Sequence, residues 1–195
     1  MEYVRINKKR VLINANNLYL ESFNINKIDD IKRLKRVSNL EGLYLEKNNI
    51  TKIEHLDHLV NLKKLHLEAN IITEISDLDS LINLIDLELS ANQISEIKSL
   101  NHLQKLKELL LDNNNIKKIE GLEDLINLER LNLSNNQIEE IDGIEYLKNL
   151  RYLNLSFNKI KNIDKLTNLT NLETLELTGN PIKNFDVLEN LKKLK

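Results

Sequence analysis

Apolar residues recur along this chain with a period of 22, from Leu18 almost to the C-terminus. Residues 128–149, LERLNLSNNQIEEIDGIEYLKN, show one unit. Its first, fourth, sixth, eleventh, fourteenth, seventeenth and twentieth places are apolar, and Asn136 holds the ninth. The fourth place reads Leu43, Leu65, Leu87, Leu109, Leu131, Leu153 and Leu175; the sixth reads Leu45, Leu67, Leu89, Leu111, Leu133, Leu155 and Leu177. Over these seven units the only changes of apolar type are Phe185 for Ile and Ile144 for Leu.

Two periodicities lie inside each unit. Places four and six are two apart, which sets both leucines on one face of a short extended strand. From place eleven the apolar spacing is three, as in Ile138, Ile141, Ile144, Leu147 and Leu150. That spacing fits the three residues per turn of a 3₁₀ helix better than the 3.6 of an α-helix, and 3₁₀ runs are short, so brief helical turns joined by bends are expected. One unit wrapped around its own leucines cannot offset the entropy of ordering itself, so units must stack and share burial with their neighbours. The predicted fold class is an α/β solenoid with a parallel β-sheet on its concave face and short 3₁₀/α turns on its convex face.

The ninth-place column is Asn26, Asn48, Asn70, Asn92, Asn114, Asn136, Asn158 and Asn180. Where the strand bends into the return segment, backbone N–H and C=O groups point inward without a sheet partner. An asparagine side chain carries both a donor and an acceptor, so a ladder of asparagines satisfies them. The reading is structural, not catalytic.

Residues 1–17 lie outside the period. Tyr3–Ile6 and Arg10–Ile13 flank Asn7-Lys8-Lys9 as in a β-hairpin. Such an element would serve as an N-terminal cap over the first coil, against the alternative of a disordered basic tail. Residues 18–195 form an array of about eight units. Residues 18–39 phase in two ways: strict periodicity puts Glu21 in a leucine column, whereas taking Leu18-Tyr19-Leu20 as the strand adds three residues before Leu40. The second is preferred because a buried, unpaired carboxylate is costly. At the other end Leu188, Leu191 and Leu194 leave an apolar edge; either LENLKKLK, in the last unit, acts as a cap or the array runs on.

The pattern LxxLxLxxNxIxxIxxLxxLxx resembles the leucine-rich-repeat superfamily, in the 22-residue class typified by a nuclear regulatory subunit of protein phosphatase 1 and by bacterial internalins. The resemblance covers residues 18–193. It implies a right-handed horseshoe that binds other proteins, usually on its concave face. The motif residues are the buried ones, so the resemblance speaks to fold more than to function.

Composition narrows the classes. The formal charge of −2 offers no overall basic field for nucleic acid, and without cysteine there is neither a disulfide framework nor a cysteine metal site. No apolar run is long enough for a membrane span, and MEYVRINKKRVLI does not read as a signal peptide, so an intracellular location, cytoplasmic or nuclear, is expected. No P-loop, dinucleotide fingerprint or HExxH motif is present, and enzymatic activity, a cofactor and a metal are not expected. His55 and His58 flank Leu56, while His66 lies on a different face, so a converging zinc site is not expected either.

Function is sought in the variable places. Third-, fifth- and seventh-place side chains face out of the sheet, and the candidate partner-binding set is Tyr44, Glu46, His66, Glu68, Asp86, Glu88, Glu108, Leu110, Asp112, Arg130, Asn132 and Tyr152. Its N-terminal half is acidic, which predicts a protein partner with a basic surface; the competing reading is a solvated acidic face that keeps the solenoid soluble. The expected function is a monomeric, non-enzymatic protein-interaction scaffold without nucleic acid or membrane partners. The alternatives are a phosphatase regulatory subunit and an internalin-like adhesin or effector.

Overall fold

The computed structural model describes residues 2–195. The chain opens with a hairpin, β1 (Tyr3–Ile6) antiparallel to β2 (Lys9–Leu12), with Tyr3 opposite Leu12 and Ile6 opposite Lys9. Its connection is two residues, Asn7 and Lys8, both left-handed at φ 49° and 66°. Paired positive φ values at the centre of a two-residue loop match the twist of the strands they join. Val4 and Ile6 are buried in the common core, and Arg5 exchanges backbone hydrogen bonds with Lys32 at 2.9 and 2.8 Å.

Ten further strands follow: β3 (Asn17–Tyr19), β4 (Gly42–Tyr44), β5 (Lys64–His66), β6 (Asp86–Glu88), β7 (Glu108–Leu110), β8 (Lys118–Ile119), β9 (Arg130–Asn132), β10 (Glu140–Ile141), β11 (Tyr152–Asn154) and β12 (Thr174–Glu176). Eight of them form one parallel sheet in the order β3-β4-β5-β6-β7-β9-β11-β12, so each coil pairs with the next. The fourth-place leucines stack in register, Leu43 beside Leu65, Leu65 beside Leu87 and onward to Leu153 beside Leu175. The return segments carry 3₁₀ turns at Ile28–Asp30, Leu34–Arg36, Ile144–Tyr146, Asp164–Asn168 and Asp186–Asn190, as the spacing of three predicts. A small parallel pair, β8 with β10, joins two of these segments and was not legible from the apolar pattern.

The first coil adopts the longer phasing. Leu18 pairs with Leu43, 25 positions on, and Leu20 is buried while Glu21 is exposed. This corrects the assignment of Asn26 to the asparagine column: Asn26 is exposed, and Phe23 occupies the ninth place of that coil. Ile25, Ile28, Ile31 and Leu34 keep the ordinary buried places of a coil, and the three extra residues follow them, with Val37 as one more buried position before Leu40.

In the later coils each asparagine clamps two coils. Asn114 donates through Nδ2 to Leu89 O at 3.0 Å, Leu111 O at 3.1 Å and Asp112 O at 3.3 Å, and its Oδ1 accepts from Ile94 N at 2.9 Å. Asn48, Asn70, Asn92, Asn136 and Asn158 repeat the pattern, all buried, and Asn180 repeats three of the four bonds half-buried. The residue before each asparagine, from Lys47, Ala69 and Ala91 to Phe157 and Gly179, is left-handed, with φ between 53° and 76°. That reversal ends the strand and turns the asparagine inward.

A second asparagine row lies on the exposed rim. Asn61, Asn83, Asn127, Asn149 and Asn171 each donate to the carbonyl 23 residues earlier, at 2.7–3.3 Å. Beside it runs a ladder of ion pairs: Lys63 with Glu41 and Lys107 with Glu129, both at 2.8 Å, and Arg151 with Glu173. At the last coil Leu191 is buried, whereas Leu175, Leu177, Ile182, Leu188 and Leu194 are only partly so.

Candidate functional site on the concave sheet

Each short strand holds its third and fifth side chains on the concave face at fixed register, because the leucine between them is locked in the core. Two clusters result.

The first is centred on His66, in β5. Tyr19 stacks on Tyr44 with ring centroids 4.6 Å apart, and Tyr44 meets the His66 ring edge-to-face at 4.9 Å. His66 Nε2 donates to Asp86 Oδ2 at 3.0 Å, while Nδ1 faces Glu46 Oε1 at 3.4 Å and Glu88 Oε2 at 3.5 Å. The His66 side chain is 16 % exposed. Burial works against its charged form, but the hydrogen bonds to Asp86 and Glu46 and the charges of Asp86 and Glu88 outweigh it and raise the pKa to about 9. His66 is therefore an imidazolium at neutral pH.

Glu88 is pushed the other way from an ordinary carboxylate. Burial raises it, the His66 charge lowers it, and Glu68, Asp86 and Glu46 raise it again, leaving a pKa of about 7. Asp86 ends below the usual range: burial opposes ionisation, but the hydrogen bond and charge of His66 prevail, with Lys64 at 3.5 Å adding to them. Glu68, half-buried beside this group, pairs with no cation among the described residues.

The second cluster spans β7, β9, β11 and β12. Arg130 Nε donates to Glu108 Oε1 at 2.9 Å, and its guanidinium lies 3.9 Å over the Tyr152 ring. Tyr152 OH donates to Glu176 Oε1 at 2.8 Å, and Asn154 Nδ2 donates to Glu176 Oε2 at 3.1 Å. Asp112 accepts from Ser90 Oγ at 2.7 Å and from Asn132 Nδ2 at 2.9 Å, and Leu110 is half-buried between the two clusters.

The twelve residues singled out from the sequence thus lie on one face but in two groups. Tyr44, Glu46, His66, Asp86 and Glu88 meet around one imidazolium, whereas Arg130 gathers Glu108 and Tyr152. Sequence reasoning left out Tyr19, although the preferred phasing already put it in the first strand, where it pairs with Tyr44. It also left out Phe157, 57 % exposed on its left-handed turn. Not every seventh-place side chain is open on this face: Ser90, Ser134 and Ser156 are buried, and Ser90 Oγ bonds Asp112 Oδ1 of the next coil. The remaining histidines stand apart, with His55 Nδ1 3.0 Å from Asp29, His58 Nε2 3.1 Å from Leu34 O and His102 Nε2 3.3 Å from Asp79.

The family profile described as Leucine Rich repeats (2 copies) matches residues 38–80, 104–146, 126–168 and 148–190. The chain belongs to the leucine-rich-repeat family. Among solved structures, this leucine-rich-repeat protein is similar to internalin C2 of Listeria monocytogenes, at 31 % identity and a TM-score of 0.86, over 92 % of this chain and 78 % of that one. It is also similar to a leucine-rich-repeat protein of Leptospira interrogans, at 29 % identity and a TM-score of 0.66, over 81 % and 48 % of the two chains. TLR13, in its complex with ssRNA13, matches at 28 % identity and a TM-score of 0.78, over 87 % of this chain and 26 % of that one. No curated protein matches the chain significantly. The repeats are internalin-like, on a scaffold typical of protein–protein interaction. No helix among the described residues is long and apolar enough to cross a membrane.

Proposed function

We propose that this leucine-rich-repeat protein is a monomeric, non-enzymatic interaction module that docks a protein partner on its concave sheet. The observation that carries the reading is the Tyr19–Tyr44–His66 row, set on rigid strands and bordered by carboxylates. Aromatic side chains with a polar edge, already ordered before binding, are what interface anchors require. Glu46, Asp86 and Glu88 face His66, so the acidity left for a basic partner lies at Glu68 and Asp112, which pair with no cation among the described residues. Nucleic acid is disfavoured on this face because its phosphates would meet those acids.

Capture of partners from the native host with the wild-type chain, then titration of the captured protein, tests the proposal. Tyr44→Ala, Leu110→Ala and Glu68→Lys should each weaken binding by about tenfold or more, with the unfolding transition retained. Normal binding by all three, with loss on changing the convex side, assigns the face wrongly.

The likeness to internalin C2 favours an adhesin or effector role as the second reading, over the phosphatase-subunit reading, for which no residue of this chain can be matched. Fractionation of the native host separates a surface or exported protein from the intracellular one expected from the sequence. Association with a phosphatase catalytic subunit in a direct assay would restore the third reading.

A further inference from the structure

The N-terminal end carries a charge distribution that the concave site does not use. Residues 2–36 hold nine lysines and arginines against four acids, a net +5, while the remaining 19 basic and 26 acidic residues leave −7. Among the described residues, only Lys35 of those nine has an acidic side chain within 4.0 Å, its partner being Asp29. Elsewhere in the coils the lysines and arginines are commonly paired in cross-coil ion pairs such as Lys63–Glu41 and Lys107–Glu129.

The arrangement is built rather than scattered. Arg10 lies directly opposite Arg5 in the hairpin, and Arg5 is bridged to Lys32 on its other side, so three cations stand side by side on one face of three adjoining segments. Like charges directly across strands are destabilising. Tyr3, on the same face, holds the guanidinium carbons of Arg10 and Arg33 each 3.9 Å from its ring centroid, with that of Arg5 at 5.7 Å. Leu12, opposite Tyr3 on that face, is 48 % exposed.

We propose that this end docks on an anionic bilayer surface. The cationic row and stacked guanidiniums supply phosphate recognition in fork geometry. Leu12 supplies an apolar contact at headgroup depth. The choice of a lipid surface over a single-stranded nucleic acid follows from Tyr3: a ring already engaged by two guanidiniums at 3.9 Å is a poor platform for stacking a base. Attachment by the end of the solenoid leaves the concave sheet free, so this inference and the proposed docking function succeed or fail independently.

The test is co-sedimentation of the full chain with vesicles of phosphatidylcholine alone or with about 30 % phosphatidylserine, at about 0.1 M and about 0.5 M salt. Selective binding to the phosphatidylserine vesicles, weakened by salt, is expected. Each cation at an anionic leaflet contributes roughly fivefold, so the triple variant Arg5→Gln, Arg10→Gln, Lys32→Gln should lose on the order of a hundredfold. The control Lys183→Gln, Lys192→Gln, Lys193→Gln, at the far end, should bind as wild type. The first variant should unfold at or above the wild-type temperature, since the repulsion is gone; if it does not fold, Arg10→Gln alone should still lose about fivefold. Equal binding to both vesicles, unchanged binding by the variants, or preference for a uridine oligonucleotide over phosphatidylserine vesicles would each overturn the proposal.

Discussion

His66 and Asn114 show how much a single side chain decides in this molecule. With its folded pKa raised from 6.5 to about 9, His66 binds its proton more tightly in the native state than in the unfolded chain. Its stabilisation is thus complete below about pH 6.5 and is lost as pH rises through about 9. An NMR titration of the imidazole should show no deprotonation until pH passes about 8; a midpoint near the ordinary value would remove the carboxylate box from the account. Glu88 acts in the same direction. Its raised pKa means the folded state holds the proton longer, so stability falls as pH climbs from about 4.5 to about 7. Glu88→Gln should therefore raise stability by on the order of 1–2 kcal/mol at about pH 8, measured by urea unfolding, while lowering the His66 pKa. Asn114→Ala works through hydrogen bonds instead. It strands the Ile94 N–H in the core, at about 1–3 kcal/mol, while the Leu89 and Leu111 carbonyls each keep one amide donor, from Asn92 and Asn136. A loss of less than about 1 kcal/mol would mean that water takes over those bonds.

At the scale of the element, the left-handed residue at the strand's end sets where each coil turns. Ala69 and Ala91 adopt φ 53° there, a conformation that an L-residue enters only at a cost. Gly179 meets the same demand without that cost, and Phe157 packs so closely over it that a Cβ would lie 2.7 Å from the ring. Ala91→Gly should accordingly stabilise the chain by about 0.5–1 kcal/mol, net of the entropy glycine gains on unfolding. Gly179→Ala should destabilise it, through both the strain and the clash. Thermal unfolding of the two variants reads both signs. The strand, the ladder asparagine and the spacing-of-three return segment were all legible, because each follows from which side chains must be buried. The left-handed turn was not, since the residues that fill it, including Lys47, Asn135 and Phe157, share no side-chain chemistry. The rim asparagines escaped notice for a related reason: their partners are backbone carbonyls, which leave no mark on composition.

For the molecule as a whole, stacking in register makes length adjustable in steps of one coil. Removing residues 84–105 should let β5 pair directly with β7 and leave a folded chain with the denaturant m-value lowered roughly in proportion to the surface lost. Removing a stretch a few residues shorter should break the asparagine ladder and the leucine stack together and abolish cooperative unfolding. Circular dichroism during urea denaturation distinguishes the two.

From the sequence alone came the parallel solenoid, its coil boundaries from residue 40 onward and the face on which variable side chains gather. These depend on burial, and burial is written in the spacing of leucine, isoleucine and asparagine. Only the three-dimensional arrangement decided which of those variable residues act together: that His66 collects Glu46, Asp86 and Glu88, that Arg130 bridges Glu108 to Tyr152, and that Arg5, Arg10 and Lys32 align across three segments. Such groupings depend on distances between residues 20 or more positions apart and on the chosen rotamers. The pull between charges changes over a few ångströms, so a repeat period fixes who is near whom but not who is paired.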